Sequence, residues 1–223
     1  QPLDDFHRPA RIRDTYRHAD VVALQGTQVR ARKPDKDAKF ASWREGQIPV
    51  RHRCIKGRID NWWCLDWGAT PKAMAQGVSL LFHPRVCQAA PRHDVVNVPA
   101  SLQGYCGAVR MRSLPRVRLA EQVDMLFIVA HCPQGDAKFN DIRTEMRRWI
   151  GRMVDRVGSR CTPFILGDFN ANPMEIKPYI GKENVRTEKA PENANAKFLT
   201  DLCVRHRLCA INSFECCQVV GAG

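Results

Sequence analysis

Short apolar runs separated by polar and charged segments recur along the chain, and their lengths are typical of buried β-strands. Pro115 to Glu121 suits the turn of a hairpin between two of these runs. Phe40 to Pro71 holds four of the five tryptophans among Gly, Arg and Asp, and we expect loops and short strands there. The predicted strands are Val21 to Leu24, Gly77 to Phe82, Tyr105 to Met111, Val123 to Ala130 and Thr162 to Leu166.

Helical periodicity is clearest in the second half of the chain. Apolar residues recur at intervals of three and four between Phe139 and Val157, which predicts a helix with one apolar stripe. Gly158 suits a left-handed C-terminal cap. A second helix is predicted from about Asn193 to Arg207, with a strand from Leu208 to Asn212 after it. The stripe of the first helix consists of Phe139, Ile142, Met146, Trp149, Ile150, Met153, Val154 and Val157.

The alternation of strands and helices in this half predicts an α/β (α+β) fold. Arg8 to His18 is predicted as a further helix, and Lys177 to Asn195 as a surface loop. The length of 223 residues suits one domain over 1–223, with two small domains as the alternative. The densest apolar stretch, Met125 to Ala130, is far shorter than the ~20 residues of a membrane-spanning helix, so we expect no membrane span.

Charge and cysteine usage narrow the class of partner and compartment. Lys and Arg number 35 against 23 for Asp and Glu, a formal charge of +12 that favours a polyanion such as nucleic acid. The ten cysteines contain no CxxC pair and fit a reducing, intracellular compartment, nuclear or cytoplasmic. Cys203, His206 and Cys209 form the nearest candidate zinc site, but Cys203 shares the apolar spacing of its helix and is interpreted as a core thiol.

Two apolar strands run directly into polar turns that can carry chemistry. Asp168 and Asn170 follow a buried strand, and alternation along an extended tip would place both on one side. A carboxylate beside an amide can orient water or a metal and bind a phosphoryl oxygen; the alternative is an Asp-Asn turn that caps the next segment. His131, at the tip of another strand, is a general acid or base, a phosphate ligand, or a surface-turn histidine.

These two motifs and three others resemble the endonuclease/exonuclease/phosphatase superfamily, closest to the endonuclease domains of non-LTR retrotransposon (reverse transcriptase) polyproteins. The resemblance implies a four-layer sandwich of two packed, mainly antiparallel sheets flanked by helices. It also implies a single domain whose opening strand and closing Ser-Asp-His element fall outside the 223 residues. The five segments, in the order of the family, are Ala19 to Gln28, Gly77 to Phe82, Phe127 to Asp136, Pro163 to Pro173 and Phe198 to Phe214.

The resemblance implies Mg²⁺-dependent hydrolysis of a phosphodiester in DNA. His131 would bind or protonate the phosphate, Asp168 would orient the attacking water and contact the metal, and Asn170 would bind phosphoryl oxygens. The metal-binding Glu of the family should follow Gln25, where this chain has Gly26. We expect these side chains to converge at one end of the sandwich, with Gly26 facing the same cleft.

Three function classes follow. The first is the DNA-nicking endonuclease of a retroelement, impaired by Gly26. The second is a phosphatase or phosphodiesterase of the same superfamily that acts on a small molecule or lipid headgroup. The third is a decayed, non-catalytic remnant that binds nucleic acid. The charge of +12 and the His-Cys-Pro form of the His131 motif favour the first class, while Gly26 favours the third. The sequence gives no oligomeric state.

Overall fold

The computed structural model describes residues 18–27, 45–50, 54–59, 61–68, 77–89, 92–116, 119–134, 137–183 and 193–214. It divides into two compact units. The first comprises Gln1–His131 and Val157–Gly167, and the second comprises Cys132–Arg156 and Asp168–Gly223. The predicted helix from Arg8 to His18 lies outside the described residues except for His18. In the described part of the chain no helix is long and apolar enough to cross a membrane.

Five antiparallel strands form the first sheet, in the order β1-β5-β4-β3-β2. The segment predicted as loops and short strands supplies three of them, each with six residues. β4 and β5 are buried along nearly their whole length, because they lie in the middle of the sheet and contact the core. The strands are β1 Val21–Gln25, β2 Glu45–Val50, β3 Cys54–Ile59, β4 Trp62–Trp67 and β5 Val78–Phe82.

The second sheet has four strands in the order β6-β7-β8-β9. β7 and β8 form the predicted hairpin, with Arg116 opposite Leu119. Between β8 and β9, the Asp124 N–H donates to Arg160 O and the Cys132 N–H donates to Asp168 O. Both bonds join residues the same number of positions apart, so these two strands run parallel. The strands are β6 Arg92–Val95, β7 Cys106–Arg116, β8 Leu119–His131 and β9 Cys161–Asp168.

The two sheets of the first unit pack face to face. The rings of Phe82 in β5 and Phe127 in β8 meet edge to face with centroids 5.5 Å apart. Phe164 of β9 stacks on Phe127 at 5.4 Å. Trp67 of β4 covers Gly107 of β7, where an added Cβ would lie 2.1 Å from the indole ring. The predicted pair of packed, mainly antiparallel sheets is therefore confirmed, and the parallel β8–β9 pair makes the second sheet mixed.

In the part of the chain that the structure describes, three α-helices accompany the strands. α1 (Pro84–Ala89) follows β5, while α2 (Asn140–Arg156) and α3 (Ala194–His206) belong to the second unit. Both long helices were predicted within two residues of their observed ends. α2 and α3 contact each other through an Arg147–Asp201 ion pair and a 3.1 Å contact from His206 Nδ1 to Asp155. The predicted apolar stripe of α2 is largely buried at Met146, Trp149, Ile150 and Val154, with Ile142 and Met153 partly buried.

Two sequence expectations are wrong. Gly158 does not cap α2 in a left-handed conformation, since among described glycines only Gly26, Gly77 and Gly104 have positive φ. Leu208 to Asn212 is not a strand: Ala210 makes a single bridge, and a short 3₁₀ helix begins at Ile211. The physical reason is local, because the Ser213 hydroxyl donates to Ala210 O at 2.6 Å and draws this backbone into a turn.

The strand β6 has no counterpart in the sequence prediction. Its sequence, Arg-His-Asp-Val, lacks an apolar run because β6 is the edge strand of its sheet. Asp94 of β6 forms an exposed ion pair with Arg112 of β7, which replaces apolar burial as the cross-strand contact.

The contact between Trp67 and Gly107 leads to a prediction about stability. Gly107→Ala should lower the free energy of unfolding by about 1–3 kcal/mol, because the new methyl group overlaps the indole. Gly158→Ala is the matched control, since nothing lies within 4 Å of its added Cβ. Urea unfolding followed by circular dichroism measures both, and equal midpoints would contradict the contact.

Candidate functional site

Gly26 lies just beyond β1, where the pairing with β5 changes register. Gln25 is opposite Val78, so an unbroken ladder would place Gly26 opposite Gly77. Instead, the Thr27 N–H donates to Gly77 O at 3.1 Å, and Gly26 has a φ of 64°. Gly26 is therefore the extra residue of a β-bulge, in the left-handed conformation that glycine adopts without steric cost.

Backbone hydrogen bonds link this bulge to His131. The Gly77 N–H donates to Gly104 O at 3.0 Å, and the next residue, Tyr105, accepts from the His131 N–H at 2.8 Å. The Cβ of a residue in place of Gly167 would lie 1.9 Å from Ala130 O, so β9 approaches the end of β8 closely. The structure therefore brings Gly26 and His131 to the same end of the first unit.

Buried polar atoms mark this end of the first unit. Thr27 Oγ1, Trp67 Nε1 and His131 Nδ1 are each buried with no hydrogen-bond partner among the described residues. Trp67 and His131 are the last residues of β4 and β8, and Thr27 lies two residues beyond the end of β1. Buried polar groups are normally satisfied by protein, water or ligand. The end of the sandwich that carries Gly26 and His131 is thus chemically suited to recognise a polar molecule.

In the second unit, the Asp168–Asn170 segment is a turn rather than an extended tip. Asp168 Oδ1 accepts a hydrogen bond from the Asn170 N–H at 2.8 Å, and Asn170 has a φ of 47°. Asparagine tolerates this left-handed conformation better than most residues. The alternation argued from an extended backbone therefore does not apply, and the Asp-Asn turn left open as the alternative is present. Asp168 itself is exposed.

The side chain of Asn170 is occupied by the protein. Its Nδ2 donates to Cys132 O at 2.8 Å, and its Oδ1 accepts from Gln134 Nε2 at 2.5 Å. Its backbone O accepts from Asn193 Nδ2 at 3.0 Å. Asn170 thus fixes the loop after β8 to the turn after β9, which makes it a structural amide as well as a candidate ligand.

Two further asparagines hold this turn and were not singled out as site residues from the sequence. Asn193 caps α3, with its Oδ1 accepting from the Ala196 N–H at 2.7 Å. Asn195, only 3% exposed, donates from Nδ2 to Pro133 O at 3.1 Å. The available signal was the pair of asparagines at the predicted start of the second helix, where this residue type is enriched as an N-cap.

The predicted site residues are thus distributed over both units. Gly26 and His131 belong to the first unit, and Asp168 and Asn170 belong to the second. The structure unites the members of each pair: the first through backbone bonds at one sheet end, the second through the Asp168–Asn170 turn. The convergence of all four residues in one cleft stays a prediction.

The described residues do not fit the implied magnesium ion. Mg²⁺ binds mainly carboxylate oxygens and water, and position 26 supplies no carboxylate. Among residues with described placement, no group of three or more His, Cys, Asp and Glu side chains is arranged to hold a metal. Asp168 is the carboxylate of the predicted set, and its Oδ1 already accepts the Asn170 N–H.

The interpretation of Cys203 as a core thiol is confirmed. Cys203 is 3% exposed, and burial raises the pKa of its thiol from 9.0 to about 11. His206 is engaged with Asp155, and Cys209 Sγ lies 3.7 Å from Pro178 O.

The chain matches no protein-family model and no curated protein sequence. Its structure is similar to the AP endonuclease of Leishmania major, with a TM-score of 0.57, 12% identity and 90% of this chain covered. It is also similar to the APE2 catalytic domain of Xenopus laevis, with a TM-score of 0.51, 15% identity and 87% covered. The match spans 61% and 63% of those two chains. At this identity the likeness shows the fold alone, an α/β fold of two packed sheets flanked by helices that this chain shares with these neighbours.

The bulge at Gly26 makes a stability prediction. Gly26→Ala should lower the free energy of unfolding by about 1–2 kcal/mol, because a Cβ is strained in the left-handed region. Gly26→Asn should cost less, since asparagine visits this region readily. The position is exposed, so packing does not interfere. Urea unfolding ranks the variants, and equal stability of Ala and Asn variants would argue against the bulge.

The hydrogen bonds of Asn170 make a second prediction. Asn170→Gly keeps the backbone free at φ 47° but removes both side-chain bonds, and should cost about 1–2 kcal/mol. Asn170→Ala should cost roughly 1 kcal/mol more, because it adds backbone strain to the same loss. Thermal and urea unfolding of the two variants decide the point; an Asn170→Gly variant as stable as the parent would show that the bonds contribute nothing.

Proposed function

We propose that this chain is the DNA-nicking endonuclease domain of a retroelement and that its magnesium-dependent phosphodiester cleavage is impaired by Gly26. The observation that carries the proposal is the fold shared with an AP endonuclease and an APE2 catalytic domain. The segment that most resembles the family, around Asp168, also forms a stable turn that presents an exposed carboxylate.

The proposal assigns a role to each side chain. Asp168 orients or deprotonates the attacking water, because its carboxylate is exposed and its Oδ1 is fixed by the Asn170 N–H. His131 binds or protonates the phosphate, and its Nδ1, which has no hydrogen-bond partner among the described residues, suits a group that contacts substrate. Asn170 was expected to bind phosphoryl oxygens; its bonds to Cys132 and Gln134 instead favour a positioning role for the loop that carries Asp168.

DNA is the proposed partner because of charge. A formal charge of +12 at pH 7 favours contact with phosphate backbones, which gives binding that weakens steeply with salt and reads little sequence. Duplex DNA is held by such contacts whether or not cleavage follows. The proposed compartment is the nucleus or cytoplasm, where buried thiols such as Cys132, Cys161 and Cys203 stay reduced.

The decayed-remnant function is the second candidate, and Gly26 is the observation that favours it. At the bulge, Gly26 is in the left-handed conformation and the next residue, Thr27, donates its N–H to Gly77 O. A carboxylate at this position therefore has to be accommodated in a left-handed residue. Losing one group that stabilises a transition state commonly costs on the order of 10²–10³ in rate.

A plasmid-nicking assay with Mg²⁺ or EDTA tests the proposal. The unmodified chain should bind plasmid and show negligible EDTA-sensitive nicking. In a chain extended at both ends, Gly26→Glu and Gly26→Asp should raise nicking by about 10²-fold or more, and Asp168→Ala added to either should abolish the gain. Gly26→Asn is the matched control for Gly26→Asp, because it has the same shape without the charge.

Three outcomes contradict parts of this proposal. EDTA-sensitive nicking by the unmodified chain that disappears in Asp168→Ala would show that Gly26 does not impair it. Equal nicking rates for Gly26→Asp and Gly26→Asn would show that the missing carboxylate at position 26 is not the cause of the impaired cleavage. Hydrolysis of a small phosphate ester without DNA binding would favour the phosphatase class.

A further inference from the structure

One face of α2 carries a straight row of cations. Arg148, Arg152 and Arg156 are all exposed, and their spacing of four residues aligns them along the helix axis. Neighbouring arginines in the row are about 6 Å apart along the axis. This arginine row lies beside the positions of α2 that contact α3, Arg147 and Asp155.

The arginine row forms no ion pair with any residue that the structure describes. Arg147 is paired with Asp201, but in the described part of the chain no acidic side chain forms an ion pair with Arg148, Arg152 or Arg156. Like charges at four-residue spacing destabilise a helix.

Helix electrostatics explain part of the row and not the rest. The negative end of the helix dipole stabilises cations in the last turn, which accounts for Arg156. This effect falls off within one turn, so it does not account for Arg148. The acids of the same face, Asp141 and Glu145, precede the row along the helix and suit the opposite end of the dipole.

We propose that the arginine row of α2 is a docking surface for the phosphate backbone of nucleic acid. The inference rests on the proposed function for the identity of the polyanion. Guanidinium groups form charge-assisted, often bidentate hydrogen bonds with phosphate, and three in line neutralise successive phosphates of one strand. Because such contacts read no bases, this surface adds affinity and orientation rather than sequence preference.

The structure of α2 favours nucleic acid over an anionic membrane. Helices that bind membrane surfaces insert an apolar face below their cationic residues. The apolar stripe of α2 is instead buried in the protein at Met146, Trp149 and Ile150. Only the charged face is available, which suits a partner bound through its phosphates alone.

The test is the salt dependence of DNA binding by the full chain. Each phosphate contact contributes about 0.9 to the slope of log K against log salt concentration. The triple variant Arg148→Gln, Arg152→Gln, Arg156→Gln should reduce the slope measured with a short duplex by about 3. The triple Arg→Lys variant keeps the charges and should retain the slope, and circular dichroism checks that both variants fold.

A second triple variant controls for net charge. Lys197→Gln, Arg205→Gln and Arg207→Gln remove the same charge from exposed positions in or next to α3, and should change the slope much less. Equal slopes for the two Gln triples would overturn the arginine row while leaving DNA binding intact. Absence of DNA binding by the unmodified chain at low salt would overturn the proposed function and the row together. If the Gln triple variant of the arginine row lost binding to phosphatidylserine vesicles but kept the DNA slope of the unmodified chain, the row would be a membrane-binding surface and the proposal would be wrong.

Discussion

The close packing of the two sheets in the first unit depends on a tryptophan ring that occupies the space left by the missing side chain of a glycine. Trp67, fully buried at the end of β4, covers Gly107 so closely that a Cβ there would overlap the indole. The same device recurs at Gly167, whose missing side chain lets β9 approach Ala130 O. The missing Cβ atoms of these two glycines thus allow the close approach of their neighbours. Because protein interiors are close-packed, a change in side-chain volume at either glycine would displace the groups around it.

This constraint positions polar groups as well as apolar ones. Asp66 and Ser79 are both fully buried on β4 and β5, and the Ser79 hydroxyl donates to the Asp66 carboxylate. A carboxylate in such a place is stabilised by the hydrogen bonds it accepts, since burial alone would disfavour it. Close to this buried pair, the strand ends hold Thr27, Trp67 and His131 with polar atoms directed to no described partner. A rigid frame with unsatisfied polar atoms at its end is the arrangement from which a recognition site is built.

The second unit is organised by amides rather than by apolar contact alone. Asn170, Asn193 and Asn195 bond to backbone carbonyls of the two loops that carry the family-like motifs. Such side-chain to backbone bonds satisfy carbonyls that no strand or helix pairs. At Gly26, by contrast, the backbone and the chemistry are coupled in one residue. The bulge needs a left-handed residue, while the family chemistry needs a carboxylate, so one substitution changes both the local fold and the metal-binding potential.

The sequence by itself determined the elements whose apolar residues follow a regular period. The strands at Val21, Val78 and Val123 and the helices α2 and α3 were predictable, because burial on one or both faces imposes that period. The order of the five family-like segments also predicted the two packed sheets. The sequence did not determine the edge strand β6 or the turns at Gly26 and Asn170, whose conformations depend on partners distant along the chain. Tertiary structure decided these features because a bulge register, an edge pairing and an amide bond to a remote carbonyl leave no periodic signal in the residues that form them.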